Sequence, residues 1–268
     1  MTTRLALAGF ALLLCLPVHA QPRPKGVLLE DLTWTEAETR LTKDAVVVIP
    51  LGAAAKEHGP HLRLNNDWLM AEYLKLRVLA AADVIVAPTI NYSFYPAFVE
   101  YPGSTTVPME TARDTVLGIC RTLAAHGPRK FYILNTGVST VRALQPAAEI
   151  ARAEGITIAY FEYSQIAETE KRVLSADEGT HAGESETSMM LYIAPESVDM
   201  TKAVRDFHPR VGTGPLRRTE GQPGVYSKTG IWGDATKATR EKGEAIVEAM
   251  VAAILKSIEA LQAGGTAR

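Results

Sequence analysis

Apolar and polar residues fall in blocks along this chain, and the period of the pattern changes from block to block. Residues 45–51, AVVVIPL, form an unbroken, largely β-branched run, the pattern of a strand buried on both faces. Similar runs recur at Asp83–Pro88, Phe131–Asn135 and Ile156–Phe161. Between them the apolar spacing lengthens to that of a helix. Helices are predicted over Asp67–Ala81, Pro108–His126, Val141–Ala153 and Glu186–Ile193. The last helix is expected from about Thr239 to Leu261, with Ile246, Met250, Ile254, Ile258 and Leu261 in register. In the second of these helices Val116, Ile119, Cys120 and Leu123 share one face. Gly127-Pro128 stops it, Gly suiting a left-handed cap and Pro forbidding continuation. A shorter amphipathic helix is expected within Asp31–Lys43, carrying Leu32, Trp34 and Leu41.

Strands alternating with helices of this length predict an α/β fold, a single three-layer α/β/α domain with a mainly parallel sheet covered on both faces. The domain is expected over residues 28–263, after a Pro-rich joint at residues 21–27. In open sheets of this kind ligands bind beyond the carboxyl ends of the strands. The loops after Leu51, Pro88 and Asn135 are therefore where chemistry is expected.

Composition narrows the function. The 268 residues are 47% hydrophobic and 22% charged with a net charge of −2, an ordinary globular balance without the basic stripe of a nucleic-acid surface. Residues 1–20 have the form of a cleaved export signal. Arg4 is followed by a short apolar run from Leu5 to Leu16, then by Val18-His19-Ala20 at the cleavage position. A periplasmic or secreted protein is expected, with no membrane association after cleavage. Cys15 would leave with the signal, so the mature chain keeps Cys120 and forms no intramolecular disulfide.

The chemistry concentrates in Gly52–Asp67, GAAAKEHGPHLRLNND, which places Glu57, His58, His61 and Asp67 between a strand end and a helix start. Imidazole and carboxylate together suit Zn²⁺, Mn²⁺ or Fe²⁺, and Gly59-Pro60 makes a turn that lets separated ligands converge. Asp67 also suits the cap of the following helix, and either histidine alone suits a hydrogen-bonded loop. Neighbouring side chains in an extended segment point to opposite sides, so Glu57 and His58 face one ion only if the loop bulges. A second segment, Gly179–Leu191, holds His181, Glu184 and Glu186 ahead of a helix; the two acids also suit the positive end of that helix. Tyr92, Phe94, Tyr95, Phe98 and Tyr101 form an aromatic cluster that fits either a substrate pocket or the packing of a long loop. A Gly-x-Ser-x-Gly elbow, a P-loop and a dinucleotide fingerprint are all missing from the sequence.

The sequence resembles the creatininase family of metal-dependent amidohydrolases. Gly52, His58, Gly59, His61 and Asp67 match its first motif, and His181, Gly183, Glu186, Thr187 and Ser188 match its third. Tyr101–Thr105 and Gly233–Gly243 resemble two further segments. The resemblance implies hydrolysis of a C–N amide bond, cyclic or linear, in a small molecule. It implies a divalent metal on Glu57, His58 and Asp67, and His181 as a proton shuttle oriented by Glu184 or Glu186. His61, Tyr95 and Tyr101 would lie against the substrate, and the protein would be a homo-oligomer. Two departures qualify this. Lys56 stands at the family's glutamate position, with one extra residue between Gly52 and His58. Gly137 and Ser139 stand where the second motif carries its ligands. These departures point to one ion rather than two. They also keep open a non-catalytic small-molecule-binding protein with a decayed metal site.

Overall fold

The computed structural model describes residues 24–175 and 179–265. The expected export signal and Cys15 lie outside the described residues. Five parallel strands form the central sheet: β1 (Val27–Leu28), β2 (Val46–Leu51), β3 (Ile85–Val86), β4 (Lys130–Asn135) and β5 (Thr157–Tyr160), in the order β1-β3-β2-β4-β5. Among the described residues seven α-helices accompany them: α1 (Trp34–Arg40), α2 (Asn66–Ala81), α3 (Met109–Ala124), α4 (Val141–Ala153), α5 (Ala167–Val173), α6 (Glu184–Ile193) and α7 (Arg240–Gln262).

The unbroken apolar run of β2 serves two cores because successive side chains leave opposite faces of a strand. Val46 and Val48 meet Met70, Leu74 and Val78 of α2, Met189 of α6, and Ile246, Met250 and Ile254 of α7. Val47, Ile49 and Leu51 meet Val116, Leu117 and Cys120 of α3, and Leu144 and Ala147 of α4. These two clusters are the helix–sheet interfaces on the two sides of the sheet in an α/β/α sandwich, the expected fold class. Cys120 is fully buried, and burial pushes its thiol up to about 12, which makes it inert core.

Differences from the pattern-based reading are local. The first helix is confined to Trp34–Arg40 because Thr33 and Glu36 close a capping box there, and Trp34 is left 76% exposed instead of joining the core. Val27, placed in the joint by the sequence, already pairs with Ile85. The polar helix α5 carries no apolar period to announce it. Two small sheets lie between α6 and α7: β6 (Arg205–Asp206) with β9 (Gly233–Asp234), and β7 (Leu216–Arg217) with β8 (Val225–Tyr226). Their strands are two residues long, too short for a period of two to register.

The packing of α7 on α6 fixes the helix that carries the third motif. A Cβ on Gly243 would fall 1.8 Å from the Ser188 carbonyl oxygen, so only glycine lets these helices approach so closely. Gly243→Ala is expected to lower unfolding free energy by about 3 kcal/mol through overpacking. Urea denaturation with an unchanged slope reads this out, and an unshifted midpoint would contradict the close approach.

The topology also places the site. From β2 the chain moves through α2 to β3 on one side, then crosses by α3 to β4 on the other. The loops after β2 and β4 thus leave adjacent strand ends, where such sheets bind ligands. Thr136 ties them together: its N–H donates to the Leu51 carbonyl at 3.1 Å, and its hydroxyl lies 3.1 Å from the Asp67 carbonyl.

Candidate metal and catalytic site

The segment after β2 folds tightly because two glycines allow it. A Cβ on Gly52 would sit 2.3 Å from the Asp67 carbonyl oxygen, so the bare backbone is what lets α2 begin against the strand end. Gly59 takes φ +73°, in the left-handed region, and turns the chain ahead of Pro60. The loop is further pinned by Lys56 N–H to Leu64 C=O at 2.9 Å and Trp68 N–H to Ala53 C=O at 3.1 Å.

Asp67 is the second residue of α2 and is fully buried. Its carboxylate goes not to the helix terminus but to two basic groups. Lys56 Nζ lies 2.7 Å from Oδ2, and His58 Nε2 lies 2.7 Å from Oδ1. Burial alone pushes the Asp67 carboxyl up; the charges and hydrogen bonds of Lys56 and His58 outweigh it and hold it well below the usual carboxylate range. Lys56 and His58 therefore point to one side of the segment and Glu57 to the other, as alternation requires. Glu57 meets His181 instead, its Oε2 3.1 Å from Nε2, and it also accepts the Gly59 N–H. Burial raises the Glu57 carboxyl, and His181 together with the Gly59 N–H brings it below its ordinary value.

His181 enters from the loop before α6. Its backbone is bridged to Trp232 in both directions, at 3.2 and 2.8 Å. The next residue, Ala182, is buried at φ +49°, a conformation that costs a non-glycine residue about 1 kcal/mol and marks an imposed geometry. That bend aims the Ala182 N–H at the Glu186 carboxylate, whose Oε2 lies 3.6 Å from His181 Nδ1. The His181 ring thus has a carboxylate on each side. It packs against Phe98 at 4.3 Å and His58 at 5.1 Å between ring centroids. Glu184 is turned elsewhere, to the Lys242 ammonium and the Ser175 N–H.

The three residues expected beside substrate are buried. Tyr101 donates its hydroxyl to the Ser227 carbonyl at 2.6 Å, and the Tyr95 hydroxyl has no hydrogen-bond partner among the described residues. His61 Nε2 lies 2.8 Å from the Thr187 hydroxyl, while Nδ1 is buried without a partner among the described residues. Burial, then the charge of His58, push His61 down to about 4. An unfolded histidine takes up its proton near 6.5. Between those values the unfolded chain binds more protons, so stability falls as pH drops through the window. Roughly 2 kcal/mol should be lost between about pH 7 and pH 4 through this residue. Urea titrations should show His61→Gln flattening the slope, and an equally steep variant would refute the assignment.

The second-motif position carries no side chain and is closely packed. A Cβ on Gly137 would meet Tyr95 Cε1 at 3.3 Å and Thr140 Oγ1 at 3.1 Å. Asn135 instead shapes this loop, donating from Nδ2 to the Gly137 and Phe161 carbonyls and accepting the Thr140 hydroxyl at 2.6 Å. Sequence reasoning missed Phe98 as the ring against His181, Thr187 as the partner of His61, and Lys56 as the partner of Asp67. Only Lys56 left a signal, as a departure from a family pattern.

Among the described residues, His58, His181 and Glu186 form a group whose donor atoms all lie within 4.8 Å of one another. Two nitrogens and a carboxylate oxygen suit Zn²⁺ or Mn²⁺. The surroundings of His58 fit as well. Its Nδ1 is 3.0 Å from the Lys56 carbonyl, an obligate acceptor, so Nδ1 carries a hydrogen in the way typical of metal-ligating histidines. Nε2 and Asp67 Oδ1 then face each other at 2.7 Å, an approach that requires a proton or a cation to mediate it.

Comparison with known proteins gives a consistent result. The family described as creatininase, creatinine amidohydrolase, matches residues 30–258. A creatinine amidohydrolase of Pseudomonas putida is 29% identical over 254 residues, covering 87% of this chain and 96% of that one. A mycofactocin precursor peptide peptidase of Mycolicibacterium smegmatis is 30% identical over 213 residues, covering 77% and 81%. Among solved structures, a mutant creatininase of Zn–Zn type superposes with TM-score 0.72 at 28% identity, over 87% of this chain and 97% of that one. One described as creatininase Mn superposes with TM-score 0.69 at 28% identity, over 87% and 98%.

Proposed function

Because the chain belongs to the creatininase family, whose characterised relatives are hydrolases, we propose that it hydrolyses a C–N amide bond, cyclic or linear, in a small molecule, using one divalent ion. The observation that carries this reading is the convergence of His58, His181 and Glu186 at the carboxyl ends of β2 and β4, beside an imidazole flanked by two carboxylates.

An ion held by His58 and Glu186, beside His181, would polarise the carbonyl and lower the pKa of a water. The chain's own groups supply the rest. His181 lies between Glu57 and Glu186 and can receive a proton at one nitrogen and release one from the other toward the leaving amine. Glu57 accepts from the His181 Nε2–H and so sets the tilt of the ring. Asp67 holds His58 in place. Phe98, Tyr95 and Tyr101 exclude water and offer apolar and aromatic surface to the substrate. Export by the segment at residues 1–20 and assembly into a homo-oligomer belong to the same proposal.

The Lys56–Asp67 pair and the lack of a ligating side chain at Gly137 favour one other reading, a binding protein on this scaffold that has lost its metal. Elemental analysis separates the two. About one equivalent of Zn or Mn in the wild-type protein, lost in His58→Ala and Glu186→Gln, supports the hydrolase and directs a screen of cyclic amides and short peptides. A wild-type protein that stays metal-free after incubation with either ion would leave the binding protein as the better account.

A further inference from the structure

We propose that Lys56 is a built-in cation: its ammonium takes the position of a second metal ion on Asp67, so that the loop after β2 is complete without metal and the site admits a single ion. This rests on the single-ion reading above and deepens it.

The surroundings of the ammonium are those of a cation site. Lys56 is only 4% exposed, and its Nζ lies 2.7 Å from Asp67 Oδ2. The same atom stands 4.7 Å from the centre of the Phe98 ring and 5.7 Å from that of Tyr95. A carboxylate in front and two aromatic faces around it attract positive charge from every side. The backbone of the same residue also serves the site: its N–H holds the Leu64 carbonyl, and its carbonyl receives His58 Nδ1. Lys56 thus orients one donor of the His58–His181–Glu186 group and covers the outer oxygen of the carboxylate between them.

The inner oxygen, Asp67 Oδ1, faces His58. The two oxygens of one fully buried carboxylate are therefore divided between a fixed ammonium and the side of the donor group. A related creatininase is described as of Zn–Zn type, a pair of ions. In this chain, Gly137 offers no side chain as a further ligand, and Lys56 supplies the missing positive charge. A lysine cannot dissociate as an ion can, so Asp67 keeps a counter-charge at any metal concentration.

The test compares wild type, Lys56→Met and Lys56→Glu, each dialysed against EDTA and then titrated with zinc chloride. Methionine keeps the length and apolar stem of lysine without its charge. Wild-type protein is expected to bind about one equivalent of zinc and to stay folded when chelated, losing only the several degrees that removal of one bound ion costs by mass action. Chelated Lys56→Met should melt about 10 °C lower, and zinc should restore at least half of that loss, because an ion beside His58 neutralises Asp67 from its other oxygen. Lys56→Glu, which replaces the ammonium by a carboxylate, should take up about two equivalents.

Lys56→Met melting with wild type in EDTA overturns the proposal. So does a loss that zinc leaves unrepaired, which is the behaviour of a purely structural ion pair. Two equivalents bound by wild type overturn it as well. Wild-type protein that binds no zinc sinks the single-ion reading alone; zinc-dependent stability of Lys56→Met then still supports the proposal, and its absence overturns it.

Discussion

Asp67→Ala is expected to remove about 4 kcal/mol of stability and to lower the melting temperature by roughly 10 °C. The carboxylate is fully buried and is the common partner of Lys56 and His58, both at 2.7 Å. Deleting it leaves two buried basic groups without a counter-charge, which is far costlier than losing an exposed ion pair. Asp67→Asn keeps the volume and one acceptor but not the charge, and should retain only a minor part of the lost stability. Chemical denaturation of the three proteins decides the matter. A loss below about 1 kcal/mol in Asp67→Ala, the range of exposed pairs, would mean that these charges are solvated and the pairing is incidental.

His181→Asn is expected to lower turnover of whichever amide the screen identifies by about a thousandfold, within the range for removing a general acid–base group. Asparagine can still donate toward Glu57, so the loop and the Ala182 bend should persist and the melting temperature should move little. The loss should fall on kcat rather than KM, since a proton passed in the transition state adds nothing to ground-state binding. Turnover retained within a few-fold would assign His181 to packing between Phe98 and His58 and return the acid–base role to another group.

Both expectations depend on contacts that bring distant parts of the chain together, and this divides what the sequence disclosed from what it withheld. The sheet was legible because β2 and β4 are long, apolar and β-branched or aromatic, and because α3, α4 and α7 carry long helical periods each followed within a few residues by glycine. The loop after β2 was legible as a candidate site because Glu57, His58, His61 and Asp67 crowd one segment. The alternation argument even anticipated that Glu57 and His58 would part company, as they do. The polar helix α5 and the two-residue strands β6–β9 were illegible for the same reason in reverse: too few apolar positions to establish a period.

By itself, the sequence determined the layered α/β order, the two cores that the alternating side chains of β2 serve, and which two segments hold the candidate site residues. Local spacing suffices for these, because strand and helix periods are properties of neighbouring residues. Only the tertiary structure decided who partners whom. It set Glu57 on His181 across 124 positions, His61 on Thr187 across 126, and Glu184 on Lys242 instead of the histidine. It also placed the Lys56 ammonium on Asp67 between two aromatic rings. Such pairings are set by burial. Once the sheet and helices close around them, each charge must take the counter-charge that the packing brings within reach, whatever its place in the chain.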